Sequence, residues 1–278
     1  VPRCRQKDGR RCTMAAMSKT PHRARKRFGQ NFLQDTGVIN DIVRAINPQP
    51  HDHLVEIGPG QGALTEQLSA SACQLDVIEL DRDLVAGLLA AFSVNPRFGL
   101  HSADALTFDY SSLVTGEQPL RVVGNLPYNI STPLIFKLLE NTAIVRDMHF
   151  MLQLEVVDRL AASPGSKAWG RLGIMAQYHC AVEKLFEVSP EAFSPRPKVQ
   201  SAIVRLTPWQ ESPWADCDTQ LLRQVVQTAF GQRRKTLRNN LKGLIDIARL
   251  EALGIDPGAR AETLALSQFI EITTALHG

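Results

Sequence analysis

The stretch that decides the fold is Val55-Glu56-Ile57-Gly58-Pro59-Gly60-Gln61-Gly62-Ala63. An apolar run that fits a buried strand ends in it, and a helical pattern begins at its last residue. Glycine at such a junction lets the backbone turn sharply and approach a ligand where a Cβ would collide. The stretch therefore predicts a ligand at the end of the first sheet strand, held close to Gly58 and Gly60.

Acidic residues around this loop narrow the choice of ligand. Glu79 and Asp81 follow Gly58 by 21 and 23 residues, which suits a carboxylate that accepts hydrogen bonds from ribose hydroxyls. The glycine spacing also satisfies a dinucleotide fingerprint and by itself leaves open a nicotinamide cofactor or S-adenosylmethionine. Glu56 would repel a pyrophosphate but suits a cation, and S-adenosylmethionine carries a sulfonium and an ammonium. Asp104 is a candidate acceptor for the adenine amino group, although a turn-capping role is equally open.

Outward from the loop, short apolar runs alternate with helical patterns. Alternation of this kind predicts an α/β fold, a Rossmann-like parallel sheet with helices on both faces. The predicted strands are His53–Ile57, Leu75–Leu80, Arg97–His101, Arg121–Asn125 and His149–Leu154, with Ser201–Leu206 as a last candidate; the helices between them include Ala63–Ala70 and Asp83–Phe92.

The pattern changes after Thr207, which predicts a division into domains. Residues 208–219 contain two prolines, two tryptophans and several acids, as in a linker. Residues 220–278 show helical spacing throughout and predict a small all-helical domain. Residues 22–207 would form the cofactor-binding domain, and residues 1–21 a basic, disordered leader.

Asn125-Leu126-Pro127-Tyr128 lies at the carboxyl end of the fourth predicted strand, where ligands of doubly wound sheets bind. An exocyclic purine amine is a poor nucleophile because its lone pair is delocalised into the ring. The amide oxygen of Asn125 and the carbonyl of Leu126 can each accept one N–H and move that lone pair toward a methyl donor. Pro127 fixes the turn, and Tyr128 offers a flat face on which an unstacked base can lie. The motif therefore predicts N6 methylation of adenine in a nucleic acid.

These motifs together resemble those of the small-subunit ribosomal RNA adenine dimethyltransferases, the family linked to kasugamycin resistance. The resemblance runs from about His22 into the C-terminal region. It rests on Arg25–Leu33, Glu56–Gly60, Asn125–Tyr128, Phe193–Val199 and Phe230–Lys235.

The resemblance implies a site and a substrate. The substrate would be two adjacent adenosines in a hairpin loop near the 3′ end of small-subunit (16S) rRNA, each dimethylated, within an assembling 30S particle. It also implies a role in small-subunit assembly. Phe193 matches a position where an aromatic ring covers the second face of the target base, although ordinary packing is the alternative. The implied cofactor contacts are Asn31, Leu33, Gly58, Glu79, Asp104 and Asn125.

Basic residues are concentrated in two segments. Residues 1–27 carry ten basic side chains and one acid, Asp8, a charge of +9; the net charge of the chain is +3, so the remainder sums to −6. A basic arm on an acidic body predicts a polyanionic partner. We expect the second segment to lie on a helix. The predicted RNA contacts are Arg23, Arg25, Lys26 and Arg27 in the first segment and Arg233, Arg234, Lys235, Arg238 and Lys242 in the second.

Composition excludes other classes of protein. No apolar run is long enough for a membrane span, and the basic N-terminal stretch lacks the apolar core of a secretory signal. Five scattered cysteines without a C-x-x-C pair predict neither a disulfide framework nor a metal site, and suit a cytoplasmic protein. Three alternatives stay open: a large-subunit rRNA adenine methyltransferase of the macrolide-resistance type, a non-enzymatic ribosome-assembly factor, and a nicotinamide oxidoreductase, which Glu56 and the Asn125 motif disfavour.

Overall fold

A seven-stranded sheet forms the centre of the protein. The computed structural model describes residues 31–71 and 73–277. The strand order is β4-β3-β2-β5-β6-β9-β7, and the first five strands are parallel. The chain runs outward from β2 to β4, then returns to place β5 on the other side of β2. The order therefore reverses between β2 and β5, the kind of switch point at which doubly wound sheets bind ligands.

The bounds of the elements are as follows. The strands are β1 (Phe32–Leu33), β2 (His53–Ile57), β3 (Gln74–Glu79), β4 (Phe98–Ser102), β5 (Leu120–Asn125), β6 (Val145–Gln153), β7 (Cys180–Val188), β8 (Phe193–Ser194) and β9 (Ser201–Pro208). The helices are α1 (Thr36–Ile46), α2 (Ala63–Ala70), α3 (Arg82–Phe92), α4 (Ser131–Leu139), α5 (Leu154–Leu160), α6 (Arg171–His179), α7 (Thr219–Ala229), α8 (Leu237–Asn240), α9 (Ile247–Ala252) and α10 (Leu266–His277).

Two apolar cores cover the two faces of the sheet. On one face α1 and α2 pack against the strands through residues such as Ile42 and Leu68. On the other face α4, α5 and α6 form a larger core that continues into the C-terminal helices through Leu222 and Phe269. Because both faces are covered, β2, β3 and β5 are buried along almost their whole length, including polar residues such as Glu56 and Asp76.

The predicted Rossmann-like sheet is confirmed, with one correction. The expectation of a parallel sheet is wrong at one edge, because β9 is antiparallel to both β6 and β7. β7 was not predicted at all. Glu183, Lys184 and Glu187 interrupt its sequence, as suits an edge strand whose outer face is exposed.

The C-terminal helices are joined to the sheet by specific contacts. The indole of Trp169, before α6, donates a 2.9 Å hydrogen bond to the carbonyl of Leu264. Within 208–219, Trp214 donates a 2.9 Å bond to the carbonyl of Gln177 in α6. The segment expected to link two domains is therefore itself packed against the sheet side of the molecule. No helix in the described part of the chain is long and apolar enough to cross a membrane.

Candidate functional site

A cleft opens at the carboxyl ends of β2, β3 and β5, where the strand order reverses. Its volume is about 1370 Å³, including the space at its mouth. Residues after each of these strands line it, and β1 covers one side. Four of the described lining residues have carboxyl groups and none is lysine or arginine: the acids are Glu56, Glu79, Asp81 and Asp104. The cleft therefore favours a cationic ligand.

The glycine loop forms the floor at the end of β2. Gly60 has φ +61°, a left-handed conformation that costs a Cβ-bearing residue strain, and a Cβ there would lie 3.2 Å from the ring of Phe32 in β1. Gly58 and Gly62 also have positive φ, of +66° and +84°. Glycine thus allows β1 to approach the loop and leaves backbone exposed to a ligand.

Glu79 ends β3 and is fixed by the main chain. Its two oxygens accept hydrogen bonds from the amides of Gly60, at 3.2 Å, and Asp81, at 2.8 Å. Burial raises the pKa of this carboxyl above its ordinary value, and the two amide donors act in the opposite direction. Glu79 is therefore a pre-positioned acceptor in the cleft, and its contact with a ribose stays a prediction.

Glu56 lies on β2 below the loop and is buried. Its Oε2 accepts a 2.7 Å hydrogen bond from the hydroxyl of Thr65 in α2. Burial raises the pKa of Glu56 to about 7, and the hydroxyl only partly offsets this. A positive charge in the cleft would favour the ionised carboxylate, whereas without one a substantial fraction is neutral at pH 7.

Two other acids have structural partners. Asp81 caps α3 by accepting from the amide of Asp83 at 3.2 Å. Asp104 accepts a 2.9 Å hydrogen bond from the amide of Leu106, the turn contact considered as its alternative role, and it also lines the cleft. Contact of Asp104 with adenine stays a prediction.

Asn125 ends β5, the strand next to β2, and a Cβ on Gly58 would lie 3.9 Å from its carbonyl oxygen. Its Nδ2 donates a 3.1 Å hydrogen bond to the main-chain carbonyl of Asn31, 94 residues earlier in the chain. The contact fixes the orientation of the amide, with Oδ1 on the side away from that carbonyl. Two sequence-predicted site residues, Asn31 and Asn125, are thus brought together.

The residues after Asn125 form the mouth of the cleft. Leu126 is buried and its amide donates to the carbonyl of Met151 at 3.2 Å, while Pro127 and Tyr128 line the opening. The Tyr128 hydroxyl lies 3.2 Å from the hydroxyl of Ser201 in β9. Ser201 was not predicted, because 73 residues separate it from Tyr128.

Leu33 and Phe193 pair across the small sheet of β1 and β8. Leu33 lines the cleft, but Phe193 is 5% exposed, packs in the core under α1 and is not among the lining residues. The structure brings Leu33 into the site and leaves Phe193 behind it, so stacking of Phe193 on a base stays a prediction.

The predicted RNA contacts divide into two groups. Arg23, Arg25, Lys26 and Arg27 lie outside the described residues. The second group is exposed, but the expected helix is wrong: residues 233–235 form a turn, and α8 covers only Leu237–Asn240. Arg233 pairs with Glu262 at 3.2 Å and also donates to the carbonyl of Lys167.

Lys167 and Arg171 add two exposed basic residues beside this turn. The Lys167 carbonyl accepts from Arg233, and the guanidinium of Arg171 lies 3.4 Å from the amide oxygen of Gln227 in α7. No sequence spacing links them to Arg233, because Lys167 precedes α6 and Arg171 begins it, more than 60 residues before Arg233. In the described residues there is no cluster of three or more side chains suited to a metal ion.

A mainly parallel sheet with a cleft at its switch point is a Rossmann-like fold, and two solved structures with this fold place the protein among the Rossmann-like methyltransferases. A dimethyladenosine transferase from Plasmodium falciparum is 24% identical with a TM-score of 0.74, and the match covers 87% of this chain and 95% of that one. The 23S rRNA methyltransferase ErmE is 26% identical with a TM-score of 0.70, and the match covers 89% of this chain and 100% of that one.

Sequence relatives identify the family. The family model "Ribosomal RNA adenine dimethylase" matches residues 21–277, and the chain belongs to this family of enzymes. Proteins called ribosomal RNA small subunit methyltransferase A from Saccharophagus degradans and Pseudomonas aeruginosa are each 60% identical over 255 residues, 92% of this chain and 95% of theirs. The resemblance inferred from the motifs is confirmed.

Proposed function

We propose that the protein transfers methyl groups from S-adenosylmethionine to N6 of two adjacent adenosines in a hairpin loop near the 3′ end of 16S rRNA, giving N6,N6-dimethyladenosines. The observation that carries this proposal is the Asn125 amide, held by the Asn31 carbonyl in a cleft that also contains Glu79. The relatives called ribosomal RNA small subunit methyltransferase A support the choice of subunit.

The residues of the cleft fit S-adenosylmethionine. Glu79 would accept from the ribose hydroxyls, Asp104 from the adenine amino group, and the open backbone at Gly58 and Gly60 would face the methionine part. The acidic lining matches a ligand with a sulfonium and an ammonium group and disfavours a pyrophosphate. When bound, the cofactor supplies an electrophilic methyl group on a sulfonium.

The chain itself acts on the nucleophile. Asn125 Oδ1 and the Leu126 carbonyl each accept one N–H of the adenine amine and hold both hydrogens out of the ring plane, so that the lone pair turns toward the methyl group. Tyr128, anchored by Ser201, provides the stacking face. No general base is required, because the methylated amine loses its proton readily to water.

The proposal also covers the particle that carries the substrate, the contacts with its phosphates and the place where the protein acts. The substrate is rRNA in an assembling 30S particle, so methylation would report on a late stage of small-subunit assembly. The exposed basic residues at 233–242, with Lys167 and Arg171, would contact phosphates. The place of action is the cytoplasm, where ribosomes assemble.

One experiment tests the proposal against its alternatives. The protein is incubated with isotope-labelled S-adenosylmethionine and unmethylated 30S or 50S particles, and the modified nucleotides are mapped by mass spectrometry. Label in two adjacent dimethyladenosines of 16S rRNA is expected. Label in 23S rRNA would favour the large-subunit alternative, to which the ErmE likeness points, and cofactor binding without turnover would favour an assembly factor.

A further inference from the structure

His149 is a buried group in the cleft to which the proposed reaction gives no role. It lies on β6, its side chain is 1% exposed, and it lines the deep end of the cleft with Ile42, Met151 and Ile203. Neither ring nitrogen has a hydrogen-bond partner among the described residues. Buried polar groups are normally paired, so an unpaired imidazole in an apolar pocket needs an explanation.

The neighbours of His149 do not provide one. Nδ1 lies 3.5 Å from Oδ1 of Asp147, too far for a well-formed hydrogen bond, although the imidazole helps to lower the pKa of that carboxyl. Asp147 instead accepts from Arg121 Nε at 3.0 Å, and Arg121 in turn pairs with Asp52. The ring therefore lies beside a completed ion pair, and Nε2, the ring nitrogen farther from the strand, has no partner within the described chain.

His149 differs from the other residues that line the cleft in the charge it can carry. Among the described residues that line the cleft, it is the one side chain able to carry a positive charge. The cleft acids match the two cationic groups of S-adenosylmethionine, which leaves its single carboxylate without an opposite charge.

The position of His149 in the sheet also fits contact with the carboxylate of S-adenosylmethionine. His149 pairs in register with Val123, two residues before Asn125 on the same strand face, about 6.6 Å along β5. That distance is on the scale of a methionine side chain. We propose that His149 is a cofactor-contact residue whose imidazole donates a hydrogen bond, directly or through one water, to the carboxylate of S-adenosylmethionine; this rests on the proposed function.

The melting temperature of a His149 variant distinguishes a role in cofactor binding from a role in holding the fold together. An imidazole buried without partners destabilises the fold, and an apolar side chain of similar volume would remove that cost. His149→Leu is therefore expected to melt at or above the temperature of the wild type. A group retained at a cost to stability is typical of a binding site.

The test compares two methyl donors by calorimetry, S-adenosylmethionine and its decarboxylated form. His149→Leu should weaken binding of S-adenosylmethionine about tenfold or more, the effect of a charge-assisted hydrogen bond, and leave binding of the decarboxylated donor within about twofold. His149→Gln keeps an N–H donor and should recover part of the loss. Met151→Leu, the matched control on the same face of β6, should change both affinities by the same factor.

Three results would overturn the proposal: equal losses for both donors in His149→Leu, unchanged affinity for S-adenosylmethionine, or a melting temperature lowered by several degrees, which would assign His149 a structural role. Failure of the proposed function looks different: it would appear as label in 23S rRNA or as cofactor binding without turnover, and the two donor affinities of the His149 variants would not change with it.

Discussion

Asn125 is oriented before any substrate arrives. Its amide nitrogen is held by the carbonyl of Asn31, so the amide oxygen has a defined direction without help from the ligand. Pre-organised acceptors of this kind cost little reorganisation during the reaction, and their contribution is larger in the transition state than in the ground state.

Asn125→Ala should therefore lower kcat by about 10² to 10³ and change RNA affinity much less. The fold should be retained, since Asn125 ends a strand whose neighbours are buried apolar residues. Single-turnover kinetics, RNA binding and a melting curve measure the three quantities. Turnover within threefold of the wild type would remove Asn125 from the mechanism.

Glu56 makes stability depend on pH in a defined direction. Its pKa in the folded protein is about 7, above the ordinary value of 4.5, so between these pH values the folded state holds a proton that the unfolded state has released. The contribution of Glu56 to stability therefore falls as pH rises through this window. Glu56→Gln should gain about 2–3 kcal/mol relative to the wild type between pH 5 and pH 8. Denaturant unfolding at both pH values measures this, and parallel pH curves would contradict it.

We expect Tyr128 to limit the second methylation of each adenosine. After one transfer the amine keeps a single N–H, and the pocket must also accommodate a methyl group. Tyr128→Trp should impair the second transfer more than the first, so that monomethyladenosine accumulates in digested rRNA. Tyr128→Phe, which loses only the bond to Ser201, is the matched control and should keep the ratio of mono- to dimethyladenosine. An unchanged ratio in Tyr128→Trp would show that the pocket does not limit this step.

Among the elements, the five parallel strands could be predicted from sequence, including β4 at one edge of the sheet, whereas β7 at the other edge could not. β2, β3 and β5 are buried on both faces and rich in Leu, Val and Ile, and they end clearly at the glycine loop, Glu79 and Asn125. β7 has one exposed face and a register shift between Lys184 and Phe186, so neither a run nor an alternation marks it. The contacts of Asn31 with Asn125 and of Tyr128 with Ser201 depend on tertiary structure, and no local pattern encodes them.

Within the basic turn at 233–235, Arg233 makes structural contacts, whereas Arg234 and Lys235 are free to contact RNA; sequence analysis alone assigned all three the same role. Arg233 has an acid and a carbonyl partner, whereas Arg234 and Lys235 are exposed on the same turn. Arg234→Gln with Lys235→Gln should flatten the salt dependence of RNA binding by about two contacts, a change in log–log slope of roughly 1.4 to 1.8, at unchanged melting temperature. Arg233→Gln should lower the melting temperature as well. Equal salt slopes for all variants would remove the turn from the RNA interface.

For the molecule as a whole, the core crosses the predicted domain boundary. One apolar cluster contains Val122 of the sheet, Ile174 of α6 and Phe269 of α10. A shared core of this kind couples the C-terminal helices to the sheet, whereas independent domains have separate cores.

Thermal unfolding should therefore show one cooperative transition. Trp169→Phe should lower stability by about 1–3 kcal/mol, since the Leu264 carbonyl loses its donor, and should shift that single transition. Calorimetry with near- and far-ultraviolet circular dichroism checks this. Two separate transitions, only one of them moved by Trp169→Phe, would instead support independent domains at 22–207 and 220–278.

β1 cannot pair with β8 until the ribosome has synthesised the residues between them. Asn31 leaves the ribosome 94 residues before the Asn125 side chain that it orients, and Phe193 follows Leu33 by 160 residues (193 minus 33). At about 5–20 residues per second, β8 emerges roughly 8–30 s after β1. Throughout that interval a nascent chain has β1 without its partner strand, so a modifying enzyme of the ribosome completes its own site only after β8 has been made.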